Sequence, residues 1–149
     1  MRTIWWDMDG TIADLYGVEN WLPKLLQADT SPYAKAEVMW NMSQLARLMN
    51  QVQRMGYKLG IISWTSKCGN AEYDAAVAET KREWLNKHLA SVHFDHVYIV
   101  KYGTPKSLVM ENEDDILFDD EELNRLNWLG EAFKPQEMIQ VLKYLLGRV

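Results

Sequence analysis

The 149-residue chain predicts an α/β protein: a parallel sheet of about five short strands with helices on both faces. Three observations lead there. Short apolar runs recur along the chain, each is followed by a segment with helical spacing, and their apolar character is continuous rather than alternating. Continuous apolar strands are those buried on both sides, as in sheets whose crossover helices cover the faces. The layout expected is Rossmann-like, in one domain spanning 1–149, with a small helical insertion at about 15–42.

In order, "TIWW" (3–6) reads as a buried strand, and residues 15–27 hold a short helical pattern interrupted by Pro23. A long helix is expected next. Ser31 suits an N-cap and Pro32 the first helical position. Val38, Met42, Leu45, Met49 and Val52 follow at alternating steps of four and three, and Gly56 ends the pattern. "YKLGIIS" (57–63) predicts the second strand, 71–89 a helix with Val77, Trp84, Leu85 and Leu89 inward, and "HVYIV" (96–100) the third strand. "DILF" (115–118), a short helix over 121–128, "GEAF" (130–133) and a final helix opened by Pro135 complete the pattern. Met138, Val141, Leu142, Leu145 and Leu146 share one face of that last helix.

Composition bounds the function classes. Apolar residues make up 48% and charged residues 25%, as in globular chains rather than disordered ones. No apolar run approaches a membrane span, the opening residues do not resemble a signal peptide, and the single Cys68 has no disulfide partner, so a cytoplasmic protein is expected. The net charge of −5 is concentrated: "ENEDDILFDDEE" (111–122) holds 8 acids and no bases, leaving 13 acids against 16 bases elsewhere. Without a basic stripe, tight binding of duplex nucleic acid is not expected.

The chemistry gathers where strands end. Asp7 and Asp9 follow "IWW" and lead into a Gly-Thr turn; Ser63 follows the second strand; Asp119 and Asp120 follow "ILF". In parallel sheets ligands bind beyond the carboxyl ends of the strands, so these residues should converge. Several carboxylates in one place repel unless a cation compensates, and a few hard oxygen ligands suit Mg²⁺ beside a substrate phosphate. One carboxylate can act as nucleophile, a second as acid and base, and a lysine with a hydroxyl can hold phosphate oxygens. Lys106, after Pro105, is the favoured lysine over Lys101, and Ser63 the favoured hydroxyl over Thr65. A phosphoryl-transfer site results.

"DMDGT", the hydroxyl ending of "GIIS", Lys106 and "ILFDD" occur in the order of the four motifs of the haloacid dehalogenase superfamily, over residues 4–120. The chain resembles its phosphatase branch, which carries an aspartate at the place of Asp9. The resemblance implies Asp7 as nucleophile and Asp9 as general acid and base, with Ser63 and Lys106 holding phosphate. It places Mg²⁺ among Asp7, the backbone carbonyl of Asp9, and Asp120 supported by Asp119. "KREWLNKHL", "YGTPKS" and "LFDDEELN" look most like the 5′(3′)-deoxyribonucleotidase group, which implies nucleoside monophosphates as substrates.

Two aromatic residues adjoin this edge, Trp64 after Ser63 and Tyr16 past the first motif, and both are candidates for contact with the substrate. His88, His93 and His96 lack metal-ligand spacing, and Cys68 has no assigned role. The alternatives are a phosphatase for polynucleotide 3′ ends or phosphoproteins, which a small cap would leave room for, and a non-catalytic phosphate- or partner-binding module. Such a module would be expected to lose a charged site residue, and none is missing.

Overall fold

A computed structural model describes residues 2–148. In chain order the strands are β1 (Thr3–Trp6), β2 (Ala13–Asp14), β3 (Glu37–Val38), β4 (Lys58–Trp64), β5 (His96–Val100), β6 (Ile116–Phe118) and β7 (Glu131–Phe133). The helices are α1 (Trp21–Leu26), α2 (Ser31–Lys35), α3 (Met42–Arg54), α4 (Ala71–His88), α5 (Glu122–Asn127) and α6 (Met138–Leu145). Five strands form one parallel sheet in the order β5-β4-β1-β6-β7, as the apolar runs predict, with β1 central. The pair β2-β3 is separate and antiparallel.

Alternation along β1 divides the core. Ile4 and Trp6 face one side with Leu59, Ile61, Ile116 and Phe118, where Leu45, Leu48, Met49 and Val52 of α3 and Met138 and Leu142 of α6 cover them. Each of those α3 side chains is buried and contributes about 1.5–3 kcal/mol of apolar burial. Trp5 faces the other side with Ile62, Leu117 and Trp128. This cover is thinner: the turn leading to Val109 and Met110, the end of α5, and aromatic stacking of Trp5 on His96 and Tyr98, at ring distances of 5.5 and 5.8 Å. Gly60 lies opposite Trp5 in the register, and a Cβ there would collide with the indole. The glycine lets the ring lie flat across β4.

One expected helix is two. The spacing that suggests a helix from Ser31 to Gly56 is interrupted at Ala36, whose ψ of 129° breaks the helical path. Glu37 and Val38 pair with Asp14 and Ala13, Trp40 donates its indole N–H to the Thr11 carbonyl at 2.7 Å, and Asn41 then caps α3 through the Gln44 amide. Val38 is therefore exposed on a strand, not part of the helical stripe. Strand pairing supplies the backbone partners that a continuous helix would have supplied.

The residues between β1 and α3 fold back onto α4. Leu15, Leu25 and Tyr33 pack with Tyr73 and Val77, Trp21 lies at the edge, and the Tyr73 hydroxyl donates to the Asp29 carbonyl at 2.8 Å. Among the described residues no helix is long and apolar enough to cross a membrane.

At the amino end of the sheet, buried Asp115 accepts hydrogen bonds from the Thr3 and Glu111 amides, both at 2.9 Å, and the Trp5 indole at 3.2 Å. Burial opposes ionisation, but these donors win and hold its pKa below the ordinary value of 3.8. Asp115→Ala would strand the buried Thr3 and Trp5 donors, lowering stability by roughly 2–6 kcal/mol in urea unfolding near neutral pH. Because the folded pKa is depressed, the carboxylate's contribution is complete above 3.8 and disappears as pH falls below it. The gap between wild type and variant should narrow over that acid range.

Candidate active site

Beyond Trp6 the chain stays tied to the sheet for one residue more, because the Asp7 amide donates to the Phe118 carbonyl at 2.9 Å. The backbone then wraps around the Met8 carbonyl, which accepts from the amides of Thr11, Ile12 and Ala13. Met8 points into the core, so Asp7 and Asp9 fall on the opposite side. Gly10 has a φ of +79°, and a Cβ there would strike the Asp120 carboxylate. Glycine is required twice over, for the turn and for the approach of the second acidic pair.

Two buried lysines organise the carboxylates. Lys106, in the short turn Lys106–Val109, places Nζ at 2.7 Å from Asp7 Oδ1 and 2.7 Å from Asp119 Oδ2. Burial works against its charge, yet the Asp7 and Asp119 carboxylates hold its pKa well above the usual lysine range. Asp119 has no exposure and also accepts from the Glu121 amide and the Asn124 side chain. Thr11 donates its hydroxyl to Asp7 Oδ2 at 2.9 Å and accepts from the Asp120 amide.

The second lysine, Lys81, comes from the middle of α4 and is 1% exposed. Its Nζ lies 2.7 Å from each of Asp9 Oδ2, Ser63 Oγ and the Trp64 carbonyl oxygen. Sequence reading assigned no role to Lys81, although a signal exists. Val77, Lys81, Trp84 and Leu85 recur at steps of four, three and one, so Lys81 occupies the buried stripe of its helix.

The structure brings together Asp7, Asp9, Ser63, Lys106, Asp119 and Asp120, as the strand ends predict. Lys101 is exposed at the end of β5. Of the two hydroxyls, Ser63 Oγ is engaged by Lys81, whereas Thr65 Oγ1 is buried without a hydrogen-bond partner. Trp64 does not line the cavity beside Asp9. Its indole donates to the Thr104 carbonyl at 2.8 Å, and its ring lies 5.1 Å from Lys106 Nζ. Trp64 therefore packs against Lys106, outside that cavity. Tyr16 does line that cavity, edge-on to Trp21 at 5.0 Å. The hollow, about 200 Å³, is enclosed mainly by Leu15, Tyr16, Trp21, Leu25, Tyr33 and Tyr102, with Thr65 and Ser66 on the side of β4. A larger hollow of about 370 Å³, between Arg2, Phe133 and α6, lies at the amino end of the strands, away from the carboxylates.

Oxygen atoms of Asp7, Asp119 and Asp120 lie within 4.8 Å of one another. Burial, then repulsion from Asp7, pushes Asp120 up to about 8 and Asp119 upward as well. Asp120 Oδ1 is buried with no hydrogen-bond partner. Four carboxylates face two ammonium groups here, so the cluster lacks positive charge and has a spare oxygen. That donor set fits a hard divalent cation such as Mg²⁺. Asp119, with its oxygens taken by Lys106, Glu121 and Asn124, is the less available of the neighbouring pair.

No protein-family model matches the chain, and no curated protein matches it. Among solved structures it is similar to a D,D-heptose 1,7-bisphosphate phosphatase from Burkholderia thailandensis, with a TM-score of 0.53 and 15% identity, over 85% of this chain and 70% of that one. The similarity is one of fold: the parallel α/β sheet of the Rossmann-like type.

A cation bound here must displace the proton that burial and repulsion hold on Asp120. Mg²⁺ affinity should therefore weaken as pH is lowered through about 8. Calorimetry in buffers of different ionisation enthalpy should detect proton release on binding. Asp120→Asn should remove both the binding heat and the rise in melting temperature with Mg²⁺. Affinity independent of pH would mean that these carboxylates are not the ligands.

Proposed function

We propose that the chain is a Mg²⁺-dependent phosphomonoesterase of the haloacid dehalogenase type, acting through an aspartyl phosphate on nucleoside monophosphates. The observation that carries the reading is the setting of Asp7. Its carboxylate is held by Lys106 and Thr11 at the carboxyl end of the central strand, with the Asp9 carboxyl beside it on the same turn. The fold neighbour, itself a phosphatase by name, accords with that chemistry.

In the proposed reaction a carboxylate oxygen of Asp7 attacks phosphorus, forming an acyl phosphate as the ester P–O bond breaks. Asp9 passes its proton to the departing alkoxide; burial raises its pKa despite the Lys81 charge, which favours the protonated form needed. Asp9, now a carboxylate, takes a proton from the water that attacks phosphorus. The P–O bond to Asp7 breaks, and the Asp7 carboxylate and inorganic phosphate are released. Lys106 and a hydroxyl of β4 or the residues after it hold the phosphoryl oxygens. The unpartnered Thr65 hydroxyl supports its choice over Ser63. Mg²⁺ would be held by Asp7, Asp120 and the Asp9 carbonyl, and would supply positive charge to offset the carboxylates and the phosphate.

Residues 15–42 act in this reading as a small cap. The cavity that they roof beside Asp9 has flat aromatic walls in Tyr16, Trp21, Tyr33 and Tyr102, which suits a base or sugar more than a short polar chain. The site is acidic, which favours one metal-shielded phosphate over a long polyanion.

Asp7→Asn should lose essentially all turnover, since phosphate monoesters hydrolyse so slowly unaided. Retention of wild-type rates would refute the covalent route. For substrate choice, kcat/KM should be compared for deoxynucleoside monophosphates, sugar phosphates and a 3′-phosphorylated oligonucleotide. Nucleoside monophosphates should lead, and Trp21→Ala should erase the lead by roughly ten- to a hundredfold, the worth of one base–aromatic contact. Faster turnover of the oligonucleotide would transfer the assignment to polynucleotide ends.

A further inference from the structure

The function just proposed uses Asp7, Asp9 and Lys106 and leaves unexplained a second buried lysine. Lys81 reaches the site from the other side, along α4, and its three 2.7 Å contacts are to Asp9 Oδ2, Ser63 Oγ and the Trp64 carbonyl. An ammonium group has three protons and no lone pair. Three acceptors at hydrogen-bond distance use all of them, so none is left for a substrate phosphate. Lys106 differs. Its two carboxylate partners leave one proton unassigned.

We infer that Lys81 is a positioning residue: it fixes the carboxyl of Asp9 to the end of β4, so that the other Asp9 oxygen faces the leaving group. Three features of the geometry support this. The Trp64 carbonyl belongs to the sheet and cannot swing, so a lysine bound to it ties Asp9 to a rigid reference. Tyr33 of α2 lies 5.0 Å from Lys81 Nζ and screens it from the cavity. Ser63 accepts from Lys81, which leaves the serine hydroxyl proton free to point away from the ammonium group. Without the tether Asp9, on a turn and partly exposed, would be free to change rotamer. A reacting group misplaced by about 1 Å loses on the order of 100-fold in rate.

The inference rests on the phosphatase reading, and leaving-group dependence separates the two. Asp9 is needed as an acid only where the departing oxygen needs a proton. An alkyl phosphate requires it and p-nitrophenyl phosphate does not. In Lys81→Met, kcat/KM for the alkyl ester should fall by about 10²–10⁴-fold, the usual loss of acid assistance. For p-nitrophenyl phosphate, kcat/KM should stay close to wild type. Since kcat/KM ends at phosphoenzyme formation, slowed hydrolysis of the acyl phosphate should appear separately as a burst of about one nitrophenolate per site. Asp9→Asn should show the same pattern, and adding Lys81→Met to it should cost little more. Equal losses on both esters, or no loss on either, would overturn the positioning role. Lack of Asp7-dependent turnover of either ester by wild type would instead defeat the phosphatase reading. Melting temperature and near-ultraviolet tryptophan signals check the fold; should Lys81→Met not fold, Lys81→Gln, which keeps a donor, carries the same comparison.

Discussion

Carboxylates crowded at the ends of two adjacent strands repel each other, and the remainder of the site is organised around that charge. Asp7 and Asp119 extend neighbouring strands, so their separation is fixed by the β1-β6 ladder and cannot relax. Lys106 lies between them and offsets the repulsion of two buried like charges. Burying a lysine is itself expensive, and the cost is recovered only where both partners are within hydrogen-bond distance, as they are at 2.7 Å. The arrangement favours definite positions over stability.

The two ends of β6 show how the same side chain can be satisfied or left wanting. Asp115, just before the strand, has amide and indole donors for its oxygens and a depressed pKa; it completes the fold and needs nothing further. Asp120, beyond the other end, has an orphaned buried oxygen and a raised pKa. An acid that the protein does not satisfy is either strain or a place for a ligand. Here it lies against Asp7, where positive charge is short.

The sheet was legible because its strands are buried on both faces, and such strands must be apolar throughout. Asp7 and Asp119 stood out against that background for the same reason. The insertion was less legible. The steps of four and three from Val38 to Val52 continue the stripe of α3 backward, and nothing local marks the break at Ala36. It arises from pairing with Ala13 and Asp14, more than twenty residues distant, which spacing does not reveal. Lys81 was passed over because a lysine in a helix ordinarily faces solvent, although Val77, Trp84 and Leu85 put it on the buried side. For Trp64 the sequence was only partly informative. Adjacency to Ser63 in sequence gives its neighbourhood, but not that Thr104 and Lys106 would take both its N–H and its face.

The insertion and the charged edge are mechanically one unit. Leu15, Leu25 and Tyr33 pack on Tyr73 and Val77, so α1 and α2 rest on the helix that carries Lys81 one turn further on. Tyr33 touches both parts, lying over the Lys81 ammonium on one side and lining the cavity on the other. Burial raises its pKa and the nearby Asp9 charge raises it further, so at physiological pH its hydroxyl stays neutral and adds no negative charge to an edge already rich in it. A ligand pressing on Tyr33 from the cavity would press on the group that orients Asp9. In the proposed phosphatase, binding of the leaving group and placement of the acid that protonates it would share one aromatic ring. Selectivity would then register in the chemical step as well as in affinity.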